Sequence, residues 1–196
     1  MPEGTASGPE PKPERLFVAF TLPEHAATAV ERAIEPWHEA FPTMRWTPKE
    51  NYHVTLRFLG STPVRLVPWV GERLADAAGI ASVPSTRIRG LGSFPARGRA
   101  RVLWAGLDDE RGALARLAGS IRGALAPEFP LELAPFSPHV TVARSRAPSD
   151  LPPEFAATFL ESEPFSVGTI VLMRSRLRRP APIYEPIRTF ALTGTN

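Results

Sequence analysis

The apolar positions of this chain fall into short continuous runs and one-sided stripes. Residues 16–20, Leu-Phe-Val-Ala-Phe, form an apolar run of strand length. Pro23 then opens a helix over about 23–40, since proline is tolerated in a first turn, and Pro36 kinks or ends it. Residues 44–46 read as a short extended piece and 47–51 as a turn, followed by a strand that ends at Gly60. Val64, Val67, Trp69, Val70, Leu74 and Ala78 give one apolar face to a helix over 63–78. Residues 83–91 and 101–107 read as paired strands joined by the loop 92–98, which contains Pro95. Asp108 is placed to cap a helix running to Leu125, with Leu114, Leu117, Ile121 and Leu125 as its buried stripe. A proline-rich loop over 127–138 leads to a strand at His139. Residues 144–163 read as a polar loop with a short helix near 154–160. The last two strands, 166–175 and 183–192, are joined by a hairpin loop over 178–182.

This order predicts an α+β fold with mostly antiparallel sheet. Residues 1–13, with four prolines and two glycines, read as a disordered leader, and 14–196 as one domain. Strands bearing a histidine stand at 53 and 139, each after a helix and a proline-containing loop. Two pseudo-symmetric lobes, with helices outside and a catalytic cleft between them, follow as the expected architecture.

Those two strands carry the candidate chemistry. His53-Val54-Thr55 and His139-Val140-Thr141 are the same tripeptide, each followed by an apolar residue, Leu56 or Val142. Side chains alternate across a strand, so each His shares a face with its Thr while the valines point to a core. Two such strands side by side line a groove with two imidazoles and two hydroxyls. Imidazoles titrate near neutrality and suit general acid and base roles, and hydroxyls with an arginine suit the oxygens of a phosphate. Arg57 shares the His53 face by the same alternation. The other two of the four histidines, His25 and His38, lie on the first helix without a Thr two positions on, and read as surface residues.

Composition narrows the classes. The chain has no cysteine, which excludes disulfides and thiolate chemistry and fits a cytoplasmic protein. No apolar run reaches membrane-spanning length. Net charge is +3, and Lys12 and Lys49 are the only lysines, so the positive charge is arginine. Arg97, Arg99 and Arg101 form one alternating set, and Arg174, Arg176, Arg178 and Arg179 another. Either set can be a solvated strand face or a phosphate-binding one.

The paired His-x-Thr-x motifs resemble the two signatures of the 2H phosphoesterase superfamily. The flanks narrow this to the RNA 2′,3′-cyclic phosphodiesterases, also called 2′-5′ RNA ligases. Arg15 to Pro23 is similar to that family's opening strand, Asn51 to Gly60 to its first motif, and Phe136 to Arg144 to its second. Val171 to Tyr184 resembles its closing hairpin. The resemblance implies a bilobal fold and hydrolysis of RNA 2′,3′-cyclic phosphate ends to 2′-phosphomonoesters, with 2′-5′ ligation as the reverse. It implies no metal and no nucleotide cofactor. It places the general acid on His53, the general base on His139, and the phosphate oxygens on Thr55, Thr141 and Arg144. Arg57 departs from the small or apolar residue usual there, as an added phosphate contact or a change in substrate reach. Arg101, with its alternating neighbours, is placed at the rim where a longer RNA would lie. Phe17 or Phe20 is a base-stacking candidate, against a reading of both as core. A monomer is expected.

Three rivals remain in view. Two strand histidines are half of a zinc site, but no third ligand stands at motif spacing. A non-catalytic RNA-end-binding module would need arginines and aromatics more than a second imidazole. A cyclic phosphodiesterase for another nucleotide would share the same chemistry.

Overall fold

The computed structural model describes residues 11–96, 98–130, 134–176 and 182–194. Most of the leader, Arg97, Arg178, Arg179 and the loop up to 181 lie outside the described residues. The described chain runs β1 (Glu14–Thr21), α1 (Glu24–Ile34), α2 (Trp37–Ala40), β2 (Arg45–Trp46), β3 (His53–Thr62), α3 (Val67–Ile80), β4 (Ser85–Thr86) and β5 (Ile88–Phe94). It continues through β6 (Ala100–Leu107), α4 (Ala113–Leu125), β7 (His139–Ser149), α5 (Pro153–Ala157), β8 (Phe165–Ser166), β9 (Thr169–Arg176) and β10 (Ile183–Ala191).

The main sheet has the order β10-β9-β1-β3-β7-β6-β5, antiparallel throughout, with β2 also pairing β7. β4 and β8 form a separate small sheet. The fold is therefore α+β, as the pattern predicts. β3 and β7 meet at one residue pair, Val54 with Val140. That narrow seam divides the sheet into two lobes with one histidine strand on each side. The lobes are not the two halves of the sequence. β9 returns to pair with β1, so the first lobe takes both ends of the chain.

One face of the sheet carries the main core. Leu16, Val18 and Phe20 of β1, Val54 and Leu56 of β3, Leu103 and Ala105 of β6, and Val140 and Val142 of β7 pack with α1, α3 and α4. The helices supply Val30 and Ile34, Val70 and Leu74, and Leu114 and Ile121 at helical spacing. The opposite face holds a smaller cluster, Phe17, Ala19, Val171 and Met173, with Tyr184 packed against it. This is the face of the histidines.

Several boundaries differ from the pattern reading, each for a local reason. Pro36 ends α1, and a separate short α2 begins just past it. The stretch 83–91 is not one strand: Ser85–Thr86 pairs with Phe165–Ser166, and β5 starts at Ile88 and runs through Phe94. Asp108 does not cap α4. Gly112, at φ +64°, turns the chain first. Asp109 then reaches the helix, its carboxylate accepting from the Leu114 and Ala115 amides at 2.8 and 2.9 Å. β7 continues to Ser149, where a polar loop is expected.

Candidate active site

Cross-strand register fixes which side chains face together. His53 opposes Thr21 and Thr55 opposes Ala19, while Val54 opposes the core residue Phe20. On the second lobe His139 opposes Gly106 and Thr141 opposes Trp104, while Val140 opposes the core residue Ala105. The tripeptide alternation therefore holds, and all four side chains lie on one face across the seam.

Just past each tripeptide the alternation breaks. β1 steps from Ala19 opposite Thr55 to Val18 opposite Arg57, so Leu56 is an extra residue. β6 steps from Trp104 opposite Thr141 to Leu103 opposite Ala143, so Val142 is extra. In each strand two successive residues then point into the core, Leu56 with Arg57 and Val142 with Ala143. The next residue, Phe58 or Arg144, swings out to the histidine face.

This places the remaining sequence candidates. Arg57 is a correction. Its expected place beside His53 rests on strict alternation, and the bulge turns it to the core side, where it is buried and donates to the Pro130 carbonyl. Arg144 is on the histidine face and donates to the Thr141 hydroxyl at 3.2 Å. Phe17 lies beside the His53 ring, 5.0 Å between centroids, but is only 3% exposed, so it props the imidazole and offers no open surface to a base. Phe20 is in the main core on the far face, and withdrawing it would cost on the order of 1.5–3 kcal/mol of burial. Arg101 alternates with Val102, which opposes Arg144, and its guanidinium donates to the Arg146 carbonyl at 3.2 Å. Arg99 pairs with Asp150 and Arg174 with Glu14 and Glu185. His25 touches Phe165, and His38 lies on Trp46, both away from the seam.

The two imidazoles are held alike. His53 Nδ1–H donates to the Asn51 carbonyl at 2.7 Å, and His139 Nδ1–H to the Ser137 carbonyl at 2.8 Å. A carbonyl only accepts, so the proton sits on Nδ1 and Nε2 keeps its lone pair in the neutral ring. Each ring also has an aromatic edge-to-face neighbour, Tyr184 on His53 at 4.9 Å and Phe94 on His139 at 5.0 Å. Trp104 stands behind, 6.5 Å from His139. Burial pushes both imidazoles below their ordinary value, the carbonyl bonds oppose this, and the Arg144 charge pushes both down further. His139 adds a small repulsion on His53.

Sequence reasoning does not single out these aromatics for the site: Tyr184, Trp104 and Phe58 are strand residues that read equally well as core, and Phe94, which ends β5, falls in the stretch read as the loop 92–98. Among the described residues no three His, Cys, Asp or Glu side chains are grouped to hold a metal ion, and no helix is long and apolar enough to cross a membrane.

The seam is lined by two imidazoles that burial holds below their ordinary proton affinity, two hydroxyls and a guanidinium, the groups that acid–base chemistry at a phosphate uses. The family model described as the 2′-5′ RNA ligase superfamily matches residues 22–179, and the chain belongs to that family. An RNA 2′,3′-cyclic phosphodiesterase of Geobacillus stearothermophilus is 33% identical over 186 residues, which is 93% of this chain and 59% of that protein. The chain thus spans about three-fifths of that relative. A protein of the same name from Thermus thermophilus is 33% identical over 193 residues, covering 92% of this chain and 91% of its own length. Escherichia coli LigT, solved with 3′-AMP, superposes with a TM-score of 0.71 at 27% identity over 93% of this chain and 99% of LigT.

Proposed function

We propose that this chain hydrolyses the 2′,3′-cyclic phosphate end of RNA to a 2′-phosphomonoester, with the reverse reaction giving 2′-5′ ligation. The observation that carries this is the matched pair of imidazoles. Each is tied through Nδ1 to a carbonyl two residues back, with a threonine on the same face. His139 takes a proton from water through Nε2 as the water oxygen bonds to phosphorus. The P–O3′ bond breaks, and His53 gives its Nε2 proton to the departing 3′ oxygen. The ring strain of the cyclic ester leaves the protein mainly the work of placing acid, base and charge. Thr55, Thr141 and Arg144 hold the non-bridging oxygens as charge gathers on them.

The free rings are set for this cycle. Burial keeps both neutral near pH 7, so either can act as base. An anionic phosphate in the seam favours protonation of one ring, which becomes the acid. Every residue in the scheme comes from one chain, so a monomer suffices, and a cysteine-free chain suits the cytoplasm. The names of the relatives favour the RNA end over another cyclic nucleotide or a non-catalytic grip.

The test is hydrolysis of a short RNA ending in a 2′,3′-cyclic phosphate, in EDTA, by wild type, His53→Ala and His139→Ala. A 2′-phosphate product, with each variant slower by at least about a hundredfold, is expected. An inert wild type, or a rate restored only by metal, would overturn the reading.

A further inference from the structure

Arg45 and Arg144 stand directly opposite each other across β2 and β7. Opposed side chains in an antiparallel pair have Cβ atoms about 4.5–5.5 Å apart, and like charges there are destabilising. The next pair, Trp46 with Ala143, packs into the main core. The arginines therefore turn to the other side, the face of the histidines, where Arg144 meets the Thr141 hydroxyl. Both are exposed. Some exposed arginines elsewhere are paired, Arg89 with Glu110, Arg99 with Asp150 and Arg176 with Glu185, and others, such as Arg101 and Arg146, have no carboxylate in contact among the described residues; what sets Arg45 and Arg144 apart is that they oppose each other directly across a strand pair. Among the described residues neither Arg45 nor Arg144 has a carboxylate in ion-pair contact. The seam thus keeps two opposed, uncompensated charges, an arrangement that an anionic ligand relieves.

One guanidinium suffices for the reacting phosphate, which carries one negative charge and is reached by Arg144 beside Thr141. Thr141 to Arg144 spans at most about 10 Å of strand, the scale of one nucleotide. We propose that Arg45 binds the phosphodiester next to the reacting one, so that the site takes the end of an RNA chain in preference to a nucleoside 2′,3′-cyclic phosphate. This rests on the phosphodiesterase reading above and names the substrate class within it.

The experiment measures kcat/KM across a salt series for wild type, Arg45→Gln and Arg45→Lys. The substrates are a tetranucleotide ending in a 2′,3′-cyclic phosphate and a nucleoside 2′,3′-cyclic phosphate. Arg45→Gln should lose about tenfold or more on the tetranucleotide and stay within about twofold on the nucleotide, which also reports that it folds. Its salt slope on the tetranucleotide should flatten by about 0.7, the share of one phosphate contact on a single strand, and Arg45→Lys should keep the slope. Equal losses on both substrates, or an unchanged slope, overturn the proposal. In parallel, anisotropy of a fluorescein-labelled RNA ending in a 2′-phosphate reads the same slope without turnover. If wild type cleaves neither substrate, the phosphodiesterase reading fails while the binding slopes still decide the role of Arg45.

Discussion

Phe58 follows His53 by five positions, as Arg144 follows His139, and a bulge turns each to the histidine face. The lobes share one backbone device and use it for different chemistry. One presents an aromatic ring, 57% exposed, and the other a guanidinium. The charge of the site is therefore one-sided, and Arg144 lowers the proton affinity of both imidazoles.

Arg144→Ala tests that coupling. With the charge gone, both rings should bind protons more readily, so both limbs of the kcat/KM profile should move to higher pH. The rate itself should fall by about 10²–10³-fold, the usual loss for one donor to a developing oxyanion. Arg144→Lys should hold the limbs near their wild-type positions while recovering little rate, because an ammonium lacks the planar fork. Limbs that stay fixed in Arg144→Ala would contradict the assigned coupling.

Arg57→Met separates the two placements of Arg57. On the core side it supports the 130 loop through the Pro130 carbonyl. Its replacement should lower stability by about 1.5–3 kcal/mol, as for a hydrogen bond from a charged group, and leave kcat/KM within about twofold. Urea unfolding beside steady-state kinetics checks both halves. A large loss of activity at unchanged stability would return Arg57 to the substrate side.

Arg57 also marks where the sequence stops being legible. His53, Thr55, His139 and Thr141 were readable because period-two alternation holds through each tripeptide. The extra residue in each strand depends on tertiary packing, since both Leu56 and Arg57 find room beneath the sheet. No local pattern announces that. Strand order was hidden for a similar reason: β9 pairs with β1 because Val171 and Met173 cover Phe17 and Ala19, a match between distant segments. Arg45 was obscured by length, since a two-residue strand shows no period.

Gly92→Ala probes the wall behind His139. A Cβ on Gly92 would overlap the Trp104 ring, whose other neighbours are Phe94 and His139. The indole must shift, and the His139 surroundings with it. Overpacking of this kind costs about 1–3 kcal/mol. We expect a changed tryptophan emission and a fall in kcat larger than any rise in KM, because the ring moved is that of His139, the proposed general base, rather than a substrate contact. Wild-type kcat with a shifted emission spectrum would show that the wall does not position His139.

The depressed imidazoles also set a dependence of stability on pH. In the unfolded chain a histidine titrates near about 6.5, and in the fold both His53 and His139 titrate lower, chiefly through burial. Between the two values the unfolded chain binds more protons than the native one, so the free energy of unfolding rises with pH there. Above about 6.5 both states are neutral at these sites and the contribution is flat. Stability is therefore lost as pH falls from about 6.5 toward the folded values, and the double variant His53→Gln with His139→Gln should lose less over that window. Urea unfolding from pH 5 to pH 8 measures the two slopes. Inorganic phosphate at saturating concentration should flatten the wild-type slope, since an anion in the seam favours the charged rings, and should leave the double variant unaffected. Identical slopes for wild type and double variant would mean that the native imidazoles titrate as they do in the unfolded chain, and would contradict the depression of both rings by burial.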